Sequence, residues 1–297
     1  MVHIKEWAKM TLQKTYFGRL FDKWYLPILL FSFIVISCDS EKDDEVKPHG
    51  NSQAVPIYNQ AYSENFEPDH IDDIIKDARN AYVIIDPFEP GVAETISDIK
   101  ANHNEVSGYI SIGTGEDWRE DFSAMKPFLV SRQWAEWKGE YFVKKIAPGL
   151  VSIMKARIDQ LAEWGCDWVE FDNMDWFFDE DAIREYGITV SESEGIAYYQ
   201  ELCKYAHSKG LKCMAKNHVV EADAFDGVLY ESYHNEKDWW DHAGAQSFLD
   251  KGKLVIINHY NEPHPNRIYA EYIHLYNEGI SFICESSIEK KYIHYNQ

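Results

Sequence analysis

The chain has 297 residues, 45% of them hydrophobic and 27% charged, and a formal net charge of −21. That length can bury one large core. So large an acidic surplus argues against nucleic acid as a partner, because phosphates would be repelled, and it suits a cationic ligand.

Residues 1–25 carry five basic and two acidic side chains, and residues 26–36 are an apolar run too short to cross a bilayer as a helix. The run ends in Ser37 and Cys38. It resembles a bacterial lipoprotein signal over residues 1–37, with Cys38 as the acylated first residue of the mature protein; an ordinary signal peptide is the alternative. Removing a leader that carries +3 leaves −24 for the mature chain. Residues 38–54 are charged and poor in large apolar side chains, which predicts a disordered acidic tether. The acids at 41–45 resemble the export tag of surface-displayed lipoproteins. The expected location is the bacterial outer membrane or cell surface, with the membrane engaged through the N-terminal lipid.

From residue 55 to 297 the pattern predicts one domain. Strand-like runs fall at 82–88, 108–114, 140–146, 167–173, 211–217, 227–233, 253–259 and 280–286. Helical periodicity occupies 150–164, 192–209, 238–251 and 266–278. Gly165, Gly210, Gly252 and Gly279 each stand between a helix and the next strand, as C-capping requires. Eight strands alternating with helices predict an α/β fold, a single (β/α)8 TIM barrel. No helix of normal length follows the last strand, so residues 68–79 are expected to cover that flank.

Residues 165–177, GCDWVEFDNMDWF, place Glu170, Asp172 and Asp175 within six positions. On a strand, Trp168, Glu170 and Asp172 share one face, and Val169 and Phe171 the other. Burying carboxylates is costly unless they are paired, and folds accept the cost mostly where acids do chemistry. Other strand ends are polar too: Asp86 and Glu89, then Thr114, Glu116, Asp117 and Arg119, then Asn173. Lys216, Asn217 and His218 follow, then Glu231, Tyr233 and His234, His259 and Tyr260, and Glu285. Polar residues at one rim are how barrel enzymes build sites.

Residues 157–175, RIDQLAEWGCDWVEFDNMD, resemble the signature of glycoside hydrolase family 114, the endo-α-1,4-polygalactosaminidases. Residues 108–121, GYISIGTGEDWRED, are similar to the family's second strand and Trp-Arg-x-Asp loop. Lys216-Asn217 matches a Lys-Asn pair, and Tyr230-Glu231-Ser232 an Asn-Glu-Gln segment. The resemblance implies a barrel with one acid after the fourth strand and another after the sixth, acting on α-linked amino-sugar polymers. The chain departs from the pattern at Phe171, where the family has Pro, at Lys144, at Ser232-Tyr233, and at His259, where Glu is usual.

Glycosidases need one carboxylate to attack or to activate water and one acid to protonate the leaving oxygen. Asp172 and Glu231 are the expected pair, Asp172 as nucleophile and Glu231 as acid/base in apolar surroundings, with Asp175 a rival for either role. Asp86, Asn173, Asp175, Lys216, Asn217 and Tyr260 are expected to position substrate. Trp118, Trp176, Trp239 and Trp240 are candidate sugar platforms, Trp118 foremost. The expected partner is a polysaccharide, a cationic galactosamine polymer fitting best, and no cofactor is implied. Cys166, Cys203, Cys213 and Cys284 show no CxxC spacing and read as buried thiols, a disulfide staying open outside the cytoplasm. Two other readings compete. One is a surface glycan-binding lipoprotein that has lost turnover. The other is a metal-dependent hydrolase using Asp86, Asp172, His218 and His259.

Overall fold

The computed structural model describes residues 54–62, 67–234, 241–276 and 279–297, all within one compact unit, Gly50–Gln297. The leader, Cys38 and the tether up to residue 53 lie outside the described residues.

Eleven strands form among the described residues: β1 (Ile57–Asn59), β2 (Tyr82–Ile85), β3 (Glu105–Ser111), β4 (Thr114–Glu116), β5 (Glu140–Phe142), β6 (Trp168–Asp172), β7 (Lys212–Lys216), β8 (Gly227–Tyr233), β9 (Leu254–Glu262), β10 (Ser281–Ser286) and β11 (Lys291–His294). Nine of them make a nearly closed, barrel-like sheet in the order β1-β2-β3-β6-β7-β8-β9-β10-β11. Every neighbour pair in it is parallel except β10–β11. Side chains bridge the seam between its two edges. The Val55 amide donates to Ser281 Oγ at 2.9 Å, His294 Nδ1 lies 2.8 Å from the Ile57 carbonyl, and the Tyr292 hydroxyl donates to the Tyr62 carbonyl at 3.0 Å.

Two strand expectations change. The run at 140–146 does not join the barrel; β5 pairs antiparallel with β4 in a separate two-stranded ribbon. A parallel neighbour needs a crossover long enough to return the chain to the other end of the sheet. Residues 117–139 offer only α3 (Phe122–Met125) and one 3-10 turn, so the ribbon rises from the end of β3 and β6 takes the place beside it. The missing parallel strand is β1, whose three residues are too few to show a period.

The helices are α1 (Ile71–Asp77), α2 (Ile96–Lys100), α3, α4 (Pro148–Trp164), α5 (Glu180–Tyr186), α6 (Glu192–Ser208), α7 (His242–Asp250) and α8 (Pro265–Tyr276). Helix α4 opens on Pro148 at N1, buries Leu150, Met154, Ile158 and Leu161 along one stripe, and stops at Gly165 with φ +90°. Gly108 on β3 lets that stripe approach, since a Cβ there would sit 2.4 Å from Leu161 Cδ2. Helix α1 forms where helix was expected but serves as the crossover from β1 to β2. The flank of β10 is taken by β11, and Asp69, just ahead of α1, pairs with His294 on β11 at 3.2 Å.

Strand parity sorts the interior. Ile57, Tyr82, Ile84, Trp168, Met214, Leu229, Ile256, Ile283 and Tyr292 form a small cluster inside the sheet, while Val169, Phe171, Cys213, Val228 and Tyr230 pack outward in the larger core shared with the helices. The inner cluster plugs the barrel below Glu170 and Lys216, leaving the ends of the strands to form a cleft.

Candidate active site

Lys216, last residue of β7, stands at the centre of the cleft. Its Nζ is 3.3 Å from Glu170 Oε1, 3.3 Å from Asp172 Oδ1 and 3.6 Å from Glu231 Oε1. It also lies 4.1 Å from the centre of the Tyr62 ring. Lys216 and Glu170 are fully buried, whereas Asp172 and Glu231 are about one-fifth exposed at the mouth. Burial alone would strip the proton from Lys216, but the surrounding acids outweigh it and hold the ammonium well above its ordinary range.

Each exposed acid has its own set of donors. Asp172 Oδ2 accepts from the Tyr109 hydroxyl at 3.0 Å and from Asn173 Nδ2 at 3.1 Å. Glu231 accepts from Asn217 Nδ2 on Oε2 and from the Tyr260 hydroxyl on Oε1, each at 2.9 Å. Asn258 Nδ2 steadies that hydroxyl at 2.8 Å. Asn173 and Asn217 both follow strand ends with φ near +52° and +57°. Asparagine tolerates this left-handed turn better than most residues, and here it aims each amide at an acid. The surroundings of Glu231 are therefore hydrogen-bonding and not the apolar pocket expected from sequence; Tyr230 points into the outer core, and Trp239 and Trp240 lie outside the described residues.

Two further carboxyls face this group. Asp175 is pushed up to about 7, first by desolvation and then by the charges of Asp172 and Glu231. Glu140 on β5 is pushed up to about 8 by burial, with Asp172 and Glu116 adding to it. Thr114 Oγ1 donates to Glu140 at 2.6 Å and lies 2.6 Å from Ser111 Oγ, which accepts from Asn173 at 3.1 Å. A carboxyl whose folded-state pKa is raised adds stability fully present below its unfolded pKa and lost as pH rises through the folded value. Between about pH 4.5 and 8, Glu140 should therefore weaken the fold by a few kcal/mol, on the order of 1.4 kcal/mol for each pH unit crossed. Glu140→Gln is expected to flatten the pH dependence of the urea midpoint across that window; an unchanged slope would refute the assignment.

Sequence pointed to Asp172, Glu231, Asn173, Lys216, Asn217 and Tyr260, and the fold brings these six together. Asp86 stands elsewhere on the rim. It is buried and held by Arg119 at 2.7 Å, and Arg119 also binds Glu116 at 2.8 Å. Arg157 clasps Asp121 at 2.7 Å, so the Trp-Arg-x-Asp loop and the arginine of α4 brace the wall beside the acids. Trp118 is 55% exposed at the end of the ribbon, with Trp137 nearby in sequence to its second strand and 46% exposed; Trp176 is buried, its indole donating to the Val143 carbonyl. Tyr109, Tyr62 and Glu140 were not anticipated. Tyr109 was accessible through strand parity, because it pairs in register with Glu170 as Ser111 does with Asp172.

The residues of the metal-hydrolase reading are dispersed. Asp86 is on Arg119, Asp172 on Lys216, and His218 packs on Phe178 at 4.3 Å between ring centres. His259 faces outward between Tyr272 and Phe282 and meets Glu262 at 3.2 Å.

The model of glycoside-hydrolase family GH114 matches residues 52–293. No curated protein matches by sequence. Among solved structures, Ega3 of Aspergillus fumigatus in complex with galactosamine is 18% identical, covering 82% of this chain and 94% of its own at a TM-score of 0.59. The glycoside hydrolase domain of PelA from Pseudomonas aeruginosa is 15% identical, with 80% and 98% coverage and a TM-score of 0.55. An α-galactosidase of Thermus thermophilus, in complex with p-nitrophenyl α-D-galactopyranoside, is 11% identical, with 79% and 58% coverage and a TM-score of 0.50. At these identities the likeness is one of fold.

Proposed function

The chain belongs to glycoside hydrolase family GH114, and from that premise we propose that it cleaves an α-linked amino-sugar polysaccharide with Asp172 and Glu231. The observation that carries this reading is the shared lysine: one ammonium reaches both acids, at 3.3 and 3.6 Å. Their nearer oxygens are thus under about 7 Å apart, compatible with the short spacing of about 5–5.5 Å at which one carboxylate attacks directly and configuration is retained. In that mechanism Asp172, oriented by Tyr109, Asn173 and Lys216, attacks the anomeric carbon. Glu231 gives its proton to the departing glycosidic oxygen, then draws one from the water that releases the sugar. Asp175 offers a second proton store, since its carboxyl, pushed up to about 7 by desolvation, is about half protonated near neutral pH.

The substrate class follows from charge. Glu170, Asp172 and Glu231 gather around one lysine, and Glu140 and Asp175 bear on the same acids, in a protein of net charge −21, a setting that favours an ammonium-bearing sugar. The test is the product profile after incubation with partly deacetylated galactosaminan and with neutral α-glycans. Fragments from the first alone are expected; fragments from neutral glycans alone would sink the amino-sugar assignment. Tight binding without any release of fragments would favour the turnover-free glycan-binding protein. Against that alternative, Phe171 and His259, two of the departures from the family pattern, point to the outer core and leave the acids untouched.

Trp118 is the candidate platform for a sugar beyond the cleaved unit, its indole lying over Gly139, where an added Cβ would meet the ring at 2.7 Å. A ring backed on one side by main chain and open on the other suits stacking. Trp118→Ala should lower kcat/KM for polymer about tenfold more than for a short aryl glycoside, a difference of roughly 1.4 kcal/mol; equal losses on both would remove the platform.

The lipid anchor is part of the same proposal. Cys38→Ala is expected to block acylation and move the protein from the membrane fraction to the soluble one. An unmodified N-terminus in the mature native protein, read by mass spectrometry, would end that idea.

A further inference from the structure

A second cluster of reactive side chains lies on the outer face of the sheet, away from the acids. Cys203 and His207 are one turn apart on α6 and so share a face. Cys213 points outward from β7 toward that face. The donor atoms of all three fall within 4.8 Å of one another, and Cys203 Sγ is 3.9 Å from His207 Nε2. Asp226, just ahead of β8, adds a fourth donor. Its Oδ2 is 2.8 Å from His207 Nε2 and accepts the Cys213 amide at 2.8 Å.

Bonds of about 2.3 Å to sulfur and about 2.0 Å to nitrogen place neighbouring ligands of a tetrahedral zinc ion about 3.5–3.8 Å apart. For Cys203, His207 and Cys213 the observed separations need only small rotamer shifts to reach that geometry, and Asp226, beside His207 at 2.8 Å, turns its carboxylate onto the ion. Both thiols are free and buried, and Cys213 Sγ–H donates to the Cys203 carbonyl at 3.5 Å. His207 and Asp226 are more than one-third exposed and form the open side. The cluster lies in the last turn of α6, where the helix dipole favours positive charge.

We propose that Cys203, His207, Cys213 and Asp226 form a structural site for a zinc-class divalent cation. Binding releases two thiol protons to solvent, and the Nε2 proton that His207 shares with Asp226 moves through solvent to Nδ1, which frees the Nε2 lone pair for the ion. Asp226 exchanges its hydrogen bond with His207 for a bond to the ion. Two thiolates and an imidazole select a borderline-soft metal over magnesium or calcium. Four protein ligands leave no open position, so the ion braces α6 against β7 and the turn before β8 and takes no part in hydrolysis. Sequence missed the cluster because its ligands come from a helix, a strand and a turn, with no repeated short spacing.

The full chain, prepared without a polyhistidine tag and stripped with chelator, would be titrated with zinc and then with cobalt. The expected result is one zinc per chain by elemental mass spectrometry, a thiolate-to-cobalt charge-transfer band, and a higher Tm with metal. His207→Ala, at an exposed position that should fold normally, is expected to weaken zinc binding by more than about a hundredfold, since even groups that only hydrogen-bond to a ligand are worth about 10–100-fold. Cys213→Ser, which leaves Cys203 as the one thiolate, should cut the intensity of the charge-transfer band about in half. Substoichiometric zinc, or uptake unchanged by His207→Ala, would overturn the site. So would an intact mass two hydrogens short and restored by reductant, which would mean a Cys203–Cys213 disulfide.

Discussion

Asp172→Asn and Glu231→Gln are expected to abolish useful turnover while leaving the fold intact. The kinetic effect should be large because the two groups have no substitutes at their positions. Positioned acid–base catalysis is worth about 10²–10⁴-fold, which sets the expected loss in kcat for Glu231→Gln. Asp172→Asn should cost more, because an amide cannot form the covalent intermediate. The fold should survive because both side chains are partly exposed at the cleft mouth, and each amide keeps the shape of the acid. The two variants should also differ in kind. A substrate with a leaving group that needs no proton should restore the first step in Glu231→Gln and not in Asp172→Asn. Asp175→Asn is the control for the rival proton donor. If it is inactive and the activated substrate rescues it, while Glu231→Gln keeps most activity, the acid/base is Asp175. If Asp172→Asn keeps most activity, the nucleophile is assigned wrongly.

The parts of this site that were legible in sequence are those that local rules govern. Period-two alternation put Glu170 and Asp172 on one face, and the structure seats both beside Lys216. Polar residues at the strand ends marked the rim, and the family signature selected two acids from it. What local rules could not supply was partnership. Asp86 looked as available as Asp172, yet it is bound by Arg119, a residue 33 positions later. Glu140 looked like the start of a barrel strand. Its neighbours are chosen by the antiparallel ribbon, a pairing set by the absence of a long crossover helix between residues 117 and 139. The missed first strand has the same origin: three residues carry too little pattern to be read, and Ile57–Asn59 is a strand only because β2 lies beside it. His259 shows the opposite limit. Adjacent to Tyr260 in sequence, it points outward while Tyr260 points in at Glu231; a single step of strand parity separates a core residue from a site residue.

Lys216→Met should be the most destabilising change in the cleft, and its size should depend on pH. Glu170 has no solvent exposure, its Oε1 faces Lys216 at 3.3 Å, and its Oε2 has no hydrogen-bond partner. Removing one member of a buried ion pair costs about 3–5 kcal/mol, because the other charge is left without compensation. Against a total stability of about 5–15 kcal/mol, that is a large share. Glu170 already titrates above the usual carboxylate range, chiefly through desolvation, and loss of the ammonium beside it would raise it further. A group raised in the folded state stabilises below its unfolded pKa and loses that contribution as pH climbs. The deficit of Lys216→Met relative to the parent should thus be small near pH 4–5, where Glu170 is protonated, and largest near pH 8. Adding Glu170→Gln removes the stranded charge, so the double variant should recover much of the loss at pH 8 and little at pH 4.5. Urea unfolding of the four proteins at the two pH values decides it. If Lys216→Met is as stable as the parent at pH 8, or if Glu170→Gln fails to restore it, then Lys216 is not the counter-ion that lets this cleft hold its acids. The acids would then have to be kept apart by protonation alone, and the direct attack assigned to Asp172 would lose its electrostatic basis.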